Sequence, residues 1–137
     1  MLPLPARILM LMKIEERRGI VAIVDDDERV LESLGELLES AGYAVRLFAS
    51  AESFLQANPA NEIDVLISDI RMPGVDGIEL QRRVGIKCPQ LPVILITARS
   101  DVDLTANPQP NNRGVLRKPV DAPALLEAIA AALKGSA

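Results

Sequence analysis

Four short apolar runs in this chain end on residues that can do chemistry. Ile20–Val24 stops at Asp25-Asp26-Asp27, Ile63–Ser68 at Asp69, Val93–Ile96 at Thr97, and Val115–Leu116 at Arg117-Lys118-Pro119. Carboxylates, a hydroxyl and an amine gathered at strand ends can hold a hard cation and the oxygens of a phosphoryl group. Three carboxylates in one place repel, so one takes up a proton unless a cation compensates them. A divalent ion is therefore implied. Mg2+ is the natural candidate, because oxygen ligands, retained waters and a phosphate fill its octahedron, whereas Ca2+ needs more ligands than can be counted here. An aspartate neutralised in this way can attack a phosphoryl donor, with Lys118 as a point charge and Thr97 as a directed hydroxyl on the developing charge.

Composition removes the main competitors. The 137 residues include no histidine and a single cysteine, Cys88. Ser-His-Asp and Cys-His catalysis, imidazole zinc sites and an internal disulfide framework are thereby excluded, and any phosphohistidine must come from a partner. The net charge is −4, with acidic residues gathered from Asp25 to Glu28. That balance argues against a phosphate-backbone surface, so direct nucleic-acid binding by this chain is not expected. The apolar run Ile8–Met12 is too short for a secretory signal or a membrane span. Residues 1–18 are read as an N-terminal extension of a cytoplasmic protein, and 19–137 as one domain.

The elements that must position these residues alternate. Ile20–Val24 reads as a buried strand, and Val30, Leu31, Leu34, Leu37 and Leu38 fall at helical spacing from Glu28 to Ser40, with Gly42 placed to end the helix. Ala44–Phe48 is a second strand, and Ser50 caps a short helix through Ala57 that must stop before Asn58-Pro59. Ile63–Ser68 is a third strand, followed after Met72-Pro73-Gly74 by a helix from about Gly77 to Val84. Val93–Ile96 and Val115–Leu116 are the fourth and fifth strands, and a last helix runs from about Pro123 to Leu133. The run Asn107–Asn112 contains two prolines and three asparagines, so a fourth helix between the last two strands is short or absent. The reading is an α/β fold with a doubly wound five-stranded parallel sheet, whose ligands are expected beyond the strands' carboxyl ends.

The strings Val24-Asp25-Asp26, Ser68-Asp69-Ile70-Arg71-Met72-Pro73-Gly74, Thr97-Ala98 and Lys118-Pro119 together resemble the receiver domain of two-component response regulators, over about Ile20 to Leu133. Tyr43–Leu55, with its Ser-Ala-Glu-Ser-Phe-Leu run, and the Arg-Met-Pro-Gly turn are most similar to receivers of the nitrogen-fixation and nodulation regulator type. The resemblance implies the flavodoxin-like strand order 2-1-3-4-5. It implies Asp69 as phosphoacceptor, Asp26 as a direct Mg2+ ligand, Asp25 as a ligand through water, and the backbone carbonyl of Arg71 as a further ligand. Thr97 and Lys118 match the hydroxyl and lysine that hold the phosphoryl group, and the Lys118-Pro119 bond would be cis. Asp27, the third of the run, is assigned to helix capping. The implied partners are a histidine kinase or histidine phosphotransfer protein and a downstream output protein, with a homodimer also compatible. Such a domain phosphorylates and dephosphorylates itself with Mg2+ and is not an enzyme toward a separate substrate.

Two departures bear on output. Family receivers carry Tyr or Phe three residues before the lysine, where this chain has Val115, and the irregular stretch Ser100–Gly114 replaces a regular helix. The expected response to phosphorylation therefore shifts to a change of order in that stretch. A phosphatase or phosphotransferase acting on small substrates is disfavoured, since Arg71 occupies the place of its second aspartate. The remaining alternatives are a divergent receiver that docks a partner without phosphorylation, and the regulatory part of a longer DNA-binding regulator.

Overall fold

Period-two alternation in the strands sorts the core into two layers. In the computed structural model, which describes residues 18–98 and 109–135, strands β1 (Ile20–Val24), β2 (Ala44–Phe48), β3 (Val65–Asp69), β4 (Val93–Thr97) and β5 (Asn112–Arg117) form one sheet. All four strand pairings are parallel and the order is β2-β1-β3-β4-β5. Val21, Ile23, Val65, Ile67, Ile94 and Ile96 line one face, and Ala22, Val24, Leu66, Val93 and Leu95 the other. Both faces are apolar because helices cover both, as parallel sheets require.

Helix α1 (Glu28–Ser40) and helix α4 (Ala122–Gly135) cover the first face through Leu31, Leu34, Leu38, Leu125 and Ile129. Helices α2 (Ala51–Ala57) and α3 (Gly77–Lys87) cover the second through Phe54, Leu80 and Val84. Each fully buried Leu, Ile or Phe contributes on the order of 1.5–3 kcal/mol of transfer free energy. Caps fix where the helices begin: Asp27 accepts from Arg29 N at 2.9 Å, Ser50 from Ser53 N at 3.0 Å, and Asp76 from Glu79 N at 2.8 Å. Gly42 has φ 98° just past α1, the left-handed turn its position implied.

These are the elements expected from the sequence with several boundaries moved, the last helix for instance running from Ala122 to Gly135. β3 starts at Val65 rather than Ile63, because Asp64 instead ties the strand bottoms together, its Oδ2 accepting from Ile20 N at 2.8 Å. β5 begins at Asn112, since pairing with β4 recruits residues of poor strand propensity and the ladder shifts register between Val93 and Leu95. α3 continues to Lys87. The stretch in which a fourth helix was expected to be short or absent lies largely outside the described residues, as do residues 1–17; four helices stand among those described. No described helix is long and apolar enough to cross a membrane.

Candidate functional site

The parallel sheet carries its strand ends to one edge, and the register sets their level. Val24 pairs with Ser68, so the next residues, Asp25 and Asp69, emerge side by side from adjacent strands. Asp69 pairs with Ile96 on β4, one residue before Thr97, and Thr97 pairs with Arg117 on β5, one residue before Lys118. The ladder continues past the strands: Asp25 N donates to Phe48 O at 3.1 Å, Ile70 N to Ile96 O at 2.9 Å, and Lys118 N to Thr97 O at 2.8 Å. The chain therefore has little freedom over where these side chains start.

Asp25, Asp69 and Thr97 are buried, while Asp26 is exposed and Lys118 half-buried. One carboxylate oxygen from each of Asp25, Asp26 and Asp69 lies within 4.8 Å of the others. Lys118 Nζ stands between two of them, 3.1 Å from Asp25 Oδ2 and 3.4 Å from Asp69 Oδ2. Asp25 is also oriented from behind, its Oδ1 accepting from Asp27 N at 2.9 Å. Among the described residues, three carboxylates thus gather beside one ammonium, which pairs with two of them. Burial first, then the charge of Asp25, pushes the Asp69 carboxyl above its ordinary value; Lys118 opposes this and Asp26 adds to it. Burial disfavours the charge on Lys118, but the hydrogen bond and charge of Asp25, joined by Asp69, outweigh it and hold the ammonium above its usual range.

The donor set fits a hard divalent cation. Ligands of an octahedral Mg2+ at about 2.1 Å lie about 3 Å apart when adjacent and about 4 Å apart when opposite, and oxygens within 4.8 Å need only small side-chain shifts to reach that spacing. Two carboxylates in excess of the one lysine are what a charge of +2 would offset. Arg71, exposed, sits two residues beyond Asp69 in the loop leading to α3. The Lys118-Pro119 peptide bond is cis.

Two further residues touch Asp69 or the loop that follows it without being legible from the sequence as doing so. Gly77 opens α3 directly against Asp69: a side chain there would collide with the Asp69 carbonyl oxygen, and Gly77 N donates to Ile70 O at 2.8 Å. A glycine at the first helical position, where better helix formers are available, is a weak signal that could have marked it. Glu52, in the first turn of α2, accepts from Val75 N at 3.2 Å across a separation of 23 residues. Nothing local in the sequence points to that contact.

The fold and site together define a class: a five-stranded parallel sheet in the order β2-β1-β3-β4-β5 with an acidic cluster and a lysine at its carboxyl edge. Residues 21–130 match the response regulator receiver domain, and the chain belongs to that family. It is 41% identical over 87 residues to the transcriptional regulatory protein FixJ of Bradyrhizobium diazoefficiens, covering 64% of this chain and 42% of FixJ. It is 44% identical over 87 residues to the DNA-binding transcriptional regulator NtrC of Escherichia coli K12, covering 64% of this chain and 19% of NtrC. The chain thus spans less than half the length of either regulator. A response regulator receiver domain protein from Clostridium thermocellum superposes with a TM-score of 0.79 at 30% identity, over 85% of this chain and 94% of that one. The likeness to a nitrogen-fixation type regulator is the one read from Tyr43–Leu55.

Proposed function

We propose that this receiver accepts a phosphoryl group on Asp69 from a phosphohistidine of a partner kinase or phosphotransfer protein. In the step, an Asp69 carboxylate oxygen attacks phosphorus, the P–N bond to the imidazole breaks, and the departing nitrogen keeps the electron pair and takes a proton. When bound, Mg2+ supplies the positive charge that lets Asp69 stay ionised and that offsets the phosphoryl oxygens. Asp26 would hold it directly, Asp25 through water, and Arg71 through its backbone carbonyl. Lys118 would leave its bridge to Asp69 and pair with a phosphoryl oxygen while keeping Asp25 as its second partner, and Thr97 would donate its hydroxyl to another.

The observation that supports this reading is the meeting of three carboxylates and one lysine at the sheet's carboxyl edge. The receiver is taken to run from 19 to 137, with 1–18 as an extension, and to work in the cytoplasm by altering its grip on an output protein. It acts on itself rather than on a separate substrate. Incubation of the full chain with acetyl phosphate and Mg2+ is expected to add one phosphoryl group by intact mass, and Asp69→Asn to remain unmodified. An unmodified wild type that still retains a partner would favour the phosphorylation-independent docking role instead.

A further inference from the structure

The loop 70–76 joins Asp69 to α3 and carries Arg71, whose carbonyl is assigned above to the cation. Its inner side is fixed by apolar packing of Met72 and Val75 and by the Gly77 N to Ile70 O hydrogen bond. Its outer turn is met by Glu52: the carboxylate accepts from Val75 N at 3.2 Å, and a side chain on Gly74 would collide with Glu52 Oε2. Gly74 has φ 75°, a conformation glycine adopts without penalty. Space and backbone at Gly74 are thus both fitted to this carboxylate. Glu52 itself stands on a firm base, because Ala51 and Phe54 beside it are buried, Ser50 caps the helix, and the Phe54 ring packs edge-on against Phe48 at 5.2 Å.

We propose that Glu52 is a positioning residue for the metal site, holding the outer turn of the 70–76 loop so that the Arg71 carbonyl is set for the cation. The inference rests on the reading of Asp26, Asp69 and Arg71 as the ligand set. Groups that orient ligands without touching the ion commonly govern affinity as strongly as some ligands do. Glu52 does so through the backbone rather than through a ligand side chain.

The test uses the full chain as Glu52→Ala, Glu52→Gln and Asp26→Asn, with Mg2+ alone as the probe. Without metal, Glu52→Ala is expected to speed amide exchange at Val75 and to leave the global unfolding midpoint almost unmoved. By calorimetry its Kd for Mg2+ rises on the order of tenfold, while Glu52→Gln, which keeps an acceptor oxygen, stays within about twofold of wild type. Equal Mg2+ affinity in wild type and Glu52→Ala overturns the proposal. Equal losses in the Ala and Gln variants would assign the effect to charge and overturn the hydrogen-bonded tie. Asp26→Asn separates the two levels: if it weakens Mg2+ binding and Glu52→Ala does not, only the role of Glu52 falls. If Asp26→Asn changes nothing, the ligand set fails and this inference with it.

Discussion

Lys118 is asked to neutralise more charge than it carries, and the consequences are measurable one residue at a time. Asp69 has its carboxyl raised by burial and by Asp25, so in the metal-free fold its ionised form is the strained one. A raised carboxyl contributes stability that is fully present below the unfolded value, near 3.9, and is lost as pH rises through the folded value. Metal-free wild type is therefore expected to lose stability over that rise, in urea titrations at a series of pH values, where Asp69→Asn does not. At neutral pH the Asn variant should be the more stable of the two. Lys118→Met removes the shared counter-charge from a buried Asp25 and should lower metal-free stability by about 1–3 kcal/mol, with part of the loss restored by Mg2+. A Met variant as stable as wild type without metal would mean that the bridge in the fold carries no energy.

At the scale of elements, the start of α3 is where packing and chemistry meet. Gly77→Ala drives a methyl group into the backbone of Asp69 and should cost about 1–3 kcal/mol or more, whereas Asp76→Ala removes only a cap and should cost about 1 kcal/mol. Urea midpoints of the two variants test that order. The elements themselves were largely readable, because a buried parallel strand announces itself as an unbroken β-branched run that stops at a charge, as in Ile20–Val24 and Val93–Ile96. Asp25, Asp26, Asp69, Thr97 and Lys118 were legible for the same reason, as the polar residues at which such runs end. Less legible was anything decided by a partner far along the chain. Asn112–Gly114 join β5 only because β4 offers them a ladder, and Glu52 meets Val75 across 23 residues. Asp64 likewise left the expected third strand once Ile20 N claimed its side chain.

For the whole molecule, a cation that binds only the folded state stabilises it by mass action. Thermal midpoints should climb with Mg2+ concentration, reaching about 2.7 kcal/mol of added stability at a hundredfold excess over Kd, and this climb should be much reduced in Asp26→Asn. The gain is not spread evenly, because the sheet is not uniform. β3 and β4 are buried along their whole length, while β5 carries mostly half-buried residues and, among the described residues, lies at the sheet's edge with β4 as its one neighbouring strand. Edge elements with less burial open at lower free energy than the core does. Yet it is β5 that delivers Lys118. On warming, fraying of this margin would withdraw the Lys118 ammonium from the cluster, leaving a protein still folded by circular dichroism but, on the function proposed above, deaf to a phosphoryl donor.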